Sequence, residues 1–162
     1  MNYAKIKKND IANGPGVCVS LFVQGCPHHC KGCFNKETWD FDGGKLFTWE
    51  TVNEIIKDIN ANGVLRNLNL LGGEPLAPSN RTSIVGLINE VRKIYGNSIK
   101  IYLWTGYLYE NLLEEKDSNL EYIFDNVDVL IDGPFIENLK DNELELRGSS
   151  NQRIIQLKID KK

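Results

Sequence analysis

The chain has no apolar run long enough to cross a bilayer, no internal repeat, no low-complexity stretch and no linker that would divide it. Met1 to Asp10 is largely polar and lysine-rich, so no apolar signal segment opens the sequence. A secreted, oxidising setting therefore has no support. Neither sign of charge dominates: a net charge of −3 and a pI near 5.5 leave no electrostatic footprint for nucleic acid. Cysteine is scarce as well, and four in 162 residues are too few to staple a chain of this length with disulfides. These absences leave one cytoplasmic globular domain, residues 1–162, whose 41% hydrophobic content is enough for a real core. Only the end, Asp160-Lys161-Lys162, reads as a loose tail.

Three of the four cysteines fall in one short loop, Cys26-Pro-His-His-Cys30-Lys-Gly-Cys33, with C-x₃-C-x₂-C spacing. Thiolates are soft ligands that select iron–sulfur clusters, zinc or copper(I) over hard cations. A cubane cluster normally takes four cysteines, so three would leave one iron open to a substrate or cofactor. Zinc held by the three thiolates plus His28 or His29 is the alternative, which would make the chain a non-enzymatic interaction module. Structural zinc usually joins distant segments, however, and all these ligands sit within eight residues. Cys18 lies in Val17–Val23, an apolar, β-branched run read as a strand. Eight extended residues, roughly 26 Å, separate it from Cys26, so it reads as a small buried hydrophobe rather than a ligand.

Apolar runs alternate with amphipathic stretches, which predicts an α/β fold with a mainly parallel sheet. After the strand at Val17–Val23, Thr48 or Thr51 can cap a helix carrying Val52, Ile55, Ile56 and Ile59, with Gly63 at its end. Leu68–Leu71 reads as a strand, and Asn80 opens a helix with Ile84, Leu87, Ile88, Val91 and Ile94 on one face, closed by Gly96. Ile99–Trp104 follows as a strand, then helical turns through Leu112 and Tyr122, then strands at Val127–Ile131 and Ile154–Ile159. The first four strands run into Gly25-Cys26, Gly72-Gly73-Glu74-Pro75, Thr105-Gly106-Tyr107 and Asp132-Gly133-Pro134. In a parallel sheet these loops share the carboxyl edge, where barrel-like α/β proteins build their sites. Few residues are left over for a lid, so closure by a docked protein is expected. Trp39, Trp49 and Trp104 read as core or rim packing rather than cofactor platforms, and His28 and His29 as ordinary loop residues.

The cysteine loop after one strand and Gly72-Gly73-Glu74-Pro75 after the next resemble the radical S-adenosylmethionine enzymes. Asn13-Gly-Pro-Gly16, the block Gly25–Trp39 and Leu146–Arg153 narrow the likeness to the activating proteins of anaerobic ribonucleoside-triphosphate reductase. A sibling activator, such as that of pyruvate formate-lyase, shares the chemistry, but the Arg-Gly-Ser-Ser-Asn-Gln-Arg block argues against it. The resemblance implies a partial (β/α) barrel with its site at the C-terminal edge of the strands. It implies that Cys26, Cys30 and Cys33 hold a [4Fe-4S] cluster whose open iron takes S-adenosylmethionine. Gly32, Cys33 and Phe34 would line the adenosyl group, and Gly72, Gly73 and Glu74 would hold the methionine ammonium. Gly32 stands where many of these enzymes have an aromatic residue, which leaves Phe34 or His29 to cover the adenine. Thr105 and Asp132 are lesser candidates for ribose or carboxylate contacts. The implied reaction makes a 5′-deoxyadenosyl radical that takes a hydrogen atom from a glycine of the reductase large subunit. A one-electron donor such as a flavodoxin would feed it, and Arg147–Arg153 would be either docking rim or a polar turn.

Overall fold

The computed structural model describes residues 1–158. One seven-stranded sheet organises them, in the spatial order β3-β1-β2-β4-β5-β6-β7. Its centre is β2 (Cys18–Val23), β4 (Asn67–Gly72), β5 (Ile101–Trp104) and β6 (Val129–Asp132), all mutually parallel. Antiparallel strands flank this centre: β1 (Asn2–Asp10) and β3 (Lys45–Leu46) on one side, β7 (Arg153–Gln156) on the other. Every residue of β2 is buried, which suits a strand covered on both faces and explains its unbroken apolar reading. Ile159, expected in the last strand, and the tail Asp160–Lys162 lie outside the described residues.

Four helices alternate with the parallel strands: α1 (Trp49–Ile59), α2 (Arg81–Tyr95), α3 (Tyr109–Glu114) and α4 (Ser118–Asn126). Their apolar residues share one core with the strand residues of a single sheet face. Ile55 and Ile59 of α1, Leu87 and Ile88 of α2, and Ile123 of α4 pack with Leu21, Leu70, Leu103 and Leu130, all fully buried. Each such side chain contributes about 1.5–3 kcal/mol of burial. Thr48 caps α1, its N–H donating to Thr51 Oγ1 at 3.1 Å, and Gly96 ends α2 at φ 55°. At the amino edge of the sheet, Arg92 donates to the Asn126 carbonyl at 2.7 Å and pairs with Asp128 at 2.7 Å.

Among the described residues, none of these four helices contributes to the apolar cluster on the opposite sheet face. Near β2 and β4 it carries a polar cluster in which Ser20 donates to Asp10 at 2.6 Å and Asn69 donates to the Asn13 carbonyl at 2.7 Å. Near β5 and β6 it carries Tyr102, Val129 and Ile131, with Trp104, Leu146 and Ile154 packed over them. Leu146 belongs to the long connection between β6 and β7, which folds back across this face. There Trp104 Nε1 donates to the Leu146 carbonyl at 2.7 Å. The sheet therefore has a helical side and a side covered by loops, and the candidate site opens on the latter.

Candidate functional site

The loops that leave the carboxyl ends of β2, β4, β5 and β6 converge on one cavity of about 320 Å³. Cys26, Cys30 and Cys33 all line it, and all are free thiols. Backbone contacts fix the entry to the cysteine loop. Gly25 N donates to the Thr38 carbonyl at 2.7 Å, Cys26 N to the Trp39 carbonyl at 3.1 Å, and Glu74 N to the Gly25 carbonyl at 2.7 Å. A Cβ added at Gly73 would stand 2.5 Å from the Gly25 carbonyl oxygen, so only glycine lets the two loops touch this closely.

Burial pushes the Cys26 thiol up to about 11, with the nearby Glu74 charge adding to the effect and loop N–H groups opposing it. Cys30 and Cys33 are half-buried. Cys18 lies within β2, its thiol donating to the Pro15 carbonyl at 3.4 Å, and does not line the cavity.

Glu74 is fully buried, and both carboxylate oxygens are occupied. Oε1 accepts from Leu76 N at 2.9 Å and Thr105 Oγ1 at 2.7 Å. Oε2 accepts from Gly106 N at 2.7 Å and His28 Nε2 at 2.7 Å. One carboxylate thus ties together its own loop, the β5 loop and the cysteine loop. Arg81 supports it from below, donating to the Leu76 carbonyl at 2.8 Å while pairing with Glu115 at 2.9 Å.

Of the residues singled out for the site, Cys26, Cys30, Cys33, Phe34, Gly72, Gly73 and Glu74 line the cavity. Gly32 does not; it has φ 77° and packs against Glu137, whose carboxyl carbon a Cβ would meet at 3.0 Å. Thr105 is present, with its hydroxyl spent on Glu74. Asp132 is fully buried away from the cavity, accepting from Tyr109 N and paired with Arg153, which also pairs with Glu110 at 2.7 Å. Arg153 is therefore part of the fold, whereas Arg147 lines the cavity with no acidic partner among the described residues.

The expectation that few residues remain to cover the site does not hold. The β6–β7 connection places Phe135, Leu144, Leu146, Arg147 and Gln152 along one wall. Trp39 and Trp104 line the cavity, consistent with rim packing, whereas His28 pairs with Glu74 and so is more than a loop residue. The Gly133-Pro134 turn and the Arg147–Arg153 block were the available signals for that wall.

The donor set suits an iron–sulfur cluster. Three soft, free thiols share one cavity. A cluster would place each thiolate on a different iron. Trp39 lines the cavity, and its indole Nε1 is buried without a hydrogen-bond partner.

Comparison with known proteins agrees with this chemistry. Residues 12–155 match the family model of the 4Fe-4S single cluster domain, which sets the class. A relative from Vibrio cholerae is 41% identical over 155 residues, covering 95% of this chain and 97% of its own length. One from Escherichia coli K12 is 40% identical over 159 residues, covering 98% and 100%, and one from Enterobacteria phage T4 is 42% identical over 154 residues, covering 95% and 93%. All three are named anaerobic ribonucleoside-triphosphate reductase-activating protein. The chain belongs to this family of activating proteins.

Proposed function

We propose that this chain, as one domain over residues 1–162, is an oxidoreductase that activates an anaerobic ribonucleoside-triphosphate reductase by making a glycyl radical on its large subunit. The observation that carries the reading is the meeting of four carboxyl-edge loops, three free thiols among them, around one cavity. The four α-helices share one core on one sheet face, with the cavity on the other, which supports a partial barrel of the radical S-adenosylmethionine type rather than a doubly wound sheet. Among the described residues no helix is long and apolar enough to cross a membrane, and we take the protein to work in the cytoplasm with a one-electron donor such as a flavodoxin.

Cys26, Cys30 and Cys33 would hold the [4Fe-4S] cluster. When bound, the cluster with S-adenosylmethionine supplies one-electron cleavage to a 5′-deoxyadenosyl radical and removal of a glycine hydrogen atom. The chain's own residues orient and enclose. The backbone edge at Gly72, Gly73 and Glu74 would offer the ammonium its acceptors, and Phe34 with the Cys33 backbone would flank the adenosyl end. Glu74 gives that edge its negative charge while its side chain keeps the three loops in register. Arg147, a cation at the rim with no acidic partner among the described residues, is suited to meet an acidic group of the docked reductase. The β6–β7 wall and the docked partner together exclude water from the radical.

The test is anaerobic. Reconstituted protein should bind iron and sulfide, and with the reductase, S-adenosylmethionine and a reductant it should yield a glycyl radical seen by electron paramagnetic resonance. Deuterium at the target glycine Cα should appear in 5′-deoxyadenosine. Stoichiometric zinc with no iron, or a radical on a small metabolite without reductase, would overturn the proposal.

A further inference from the structure

The cysteine loop is weakly tied to the fold except at one point. Between Cys26 and Cys33, the backbone hydrogen bond from Cys33 N to the Cys30 carbonyl at 3.1 Å stays inside the loop. For residues 27–32, His28 Nε2 to Glu74 Oε2 at 2.7 Å is the one hydrogen bond that leaves the Cys26–Cys33 loop among the described residues.

The imidazole sits in a built seat. A Cβ at Gly106 would come within 2.5 Å of His28 Cδ2, so the glycine is what leaves room for the ring. Tyr107 closes the side, its ring edge-on with centroids 4.5 Å apart. The acceptor, Glu74, is fully buried and held by three further donors, so it is a fixed anchor rather than a mobile one. On the loop's other flank His29, at φ 48°, stacks on Trp39 with centroids 4.5 Å apart. That contact is a stack with no hydrogen bond to an anchor.

We propose that His28 is a positioning residue, a latch that holds the three-thiol loop gathered through the Glu74–Gly106 seat. The proposal rests on the reading that these thiols hold an iron–sulfur cluster. The latch's effect is on how firmly the thiols keep iron, since a ligand loop free to open exposes each thiolate to exchange. Loss of a hydrogen bond to a charged group predicts at least roughly tenfold faster opening.

Two readouts test it on the full chain. In reconstituted protein under anaerobic conditions, iron release to a ferrous chelator should be roughly tenfold faster in His28→Ala than in wild type. His28→Gln, which keeps a donor, should recover part of the difference. Gly106→Ala, in the loop after β5, should reproduce the fast release by expelling the ring, and adding His28→Ala to it should change little further. In metal-free protein, amide exchange over residues 27–33 should speed up in His28→Ala while β2 and β4 stay protected. Equal iron release and equal exchange in wild type and His28→Ala would overturn the latch. Wild-type protein that takes up no iron and sulfide would instead overturn the cluster reading, and the amide exchange would still judge the latch on its own.

Discussion

Replacing Glu74 by Gln changes one charge and almost no volume, yet the hydrogen bonding around it cannot be kept. The carboxylate accepts from four donors: Leu76 N, Thr105 Oγ1, Gly106 N and His28 Nε2. With the Gln carbonyl at the Oε1 position, its NH₂ group points at Gly106 N and His28, donor against donor. With the amide flipped, the Thr105 hydroxyl can rotate to accept, but Leu76 N is left facing an NH₂ group. The better arrangement therefore strands one buried backbone donor, at about 1–3 kcal/mol, and turns the remaining bonds from charge-assisted to neutral. A total of roughly 3 kcal/mol follows, a large part of the 5–15 kcal/mol typical of a whole domain. Urea unfolding of the metal-free protein, reduced and anaerobic, measures it. The affinity for S-adenosylmethionine should also fall, but through a loosened site, and the cluster absorbance should weaken rather than stay constant. A stability within about 0.5 kcal/mol of wild type would refute the claim that this carboxylate knits the three loops.

The other predictions rest on separate features. Cys26→Ala, Cys30→Ala or Cys33→Ala should each abolish the intact cluster by iron and sulfide analysis, whereas Cys18→Ala, fully buried on β2, should keep it and lose about 1 kcal/mol in denaturant. In metal-free protein, Cys26 should react with iodoacetamide slowly at pH 8–9, because burial lifts its thiol to about 11; mass spectrometry of the modified peptides reads this directly. Since that pKa is raised from its ordinary value of 9.0, the stabilisation tied to the neutral thiol is whole below about pH 9 and is lost as pH rises towards 11. Cys26→Ala should flatten that part of the stability curve. Arg153→Ala should cost about 2 kcal/mol by uncovering the buried Asp132, discounted because Arg153 is itself 44% exposed. Arg147→Ala should leave stability within about 0.5 kcal/mol and weaken the complex with the reductase in a binding titration.

Much of the fold was legible because its signals were local. β2, β4, β5 and β6 are short apolar runs ended by glycine, and α1 and α2 show helical spacing with Thr48 and Gly96 at their ends. β1 was hidden: Asn2–Asp10 reads as polar because it pairs near the sheet's edge and most of its side chains reach water. β7 was expected among mainly parallel strands but runs antiparallel to β6, since nothing in Arg153–Gln156 encodes direction. For the site, the three cysteines, Phe34 and the Gly72-Gly73-Glu74 edge could be read from spacing and resemblance. The saturation of Glu74 could not, because its donors come from positions 28, 76, 105 and 106, brought together only by the sheet. Likewise Arg153 looked available until the fold set it against Asp132.

The contact between Gly73 and Gly25, where backbone touches backbone with no room for a side chain, bears on how the site responds when its charge changes. Walls of this kind cannot swing or breathe as side-chain walls do. Dipoles fixed in place respond little when an electron arrives, so little of the driving force is spent on rearrangement. A cluster held here as proposed would gain from such stiffness whenever it takes up an electron. The two glycines would then matter less for the space they leave than for the motion they forbid.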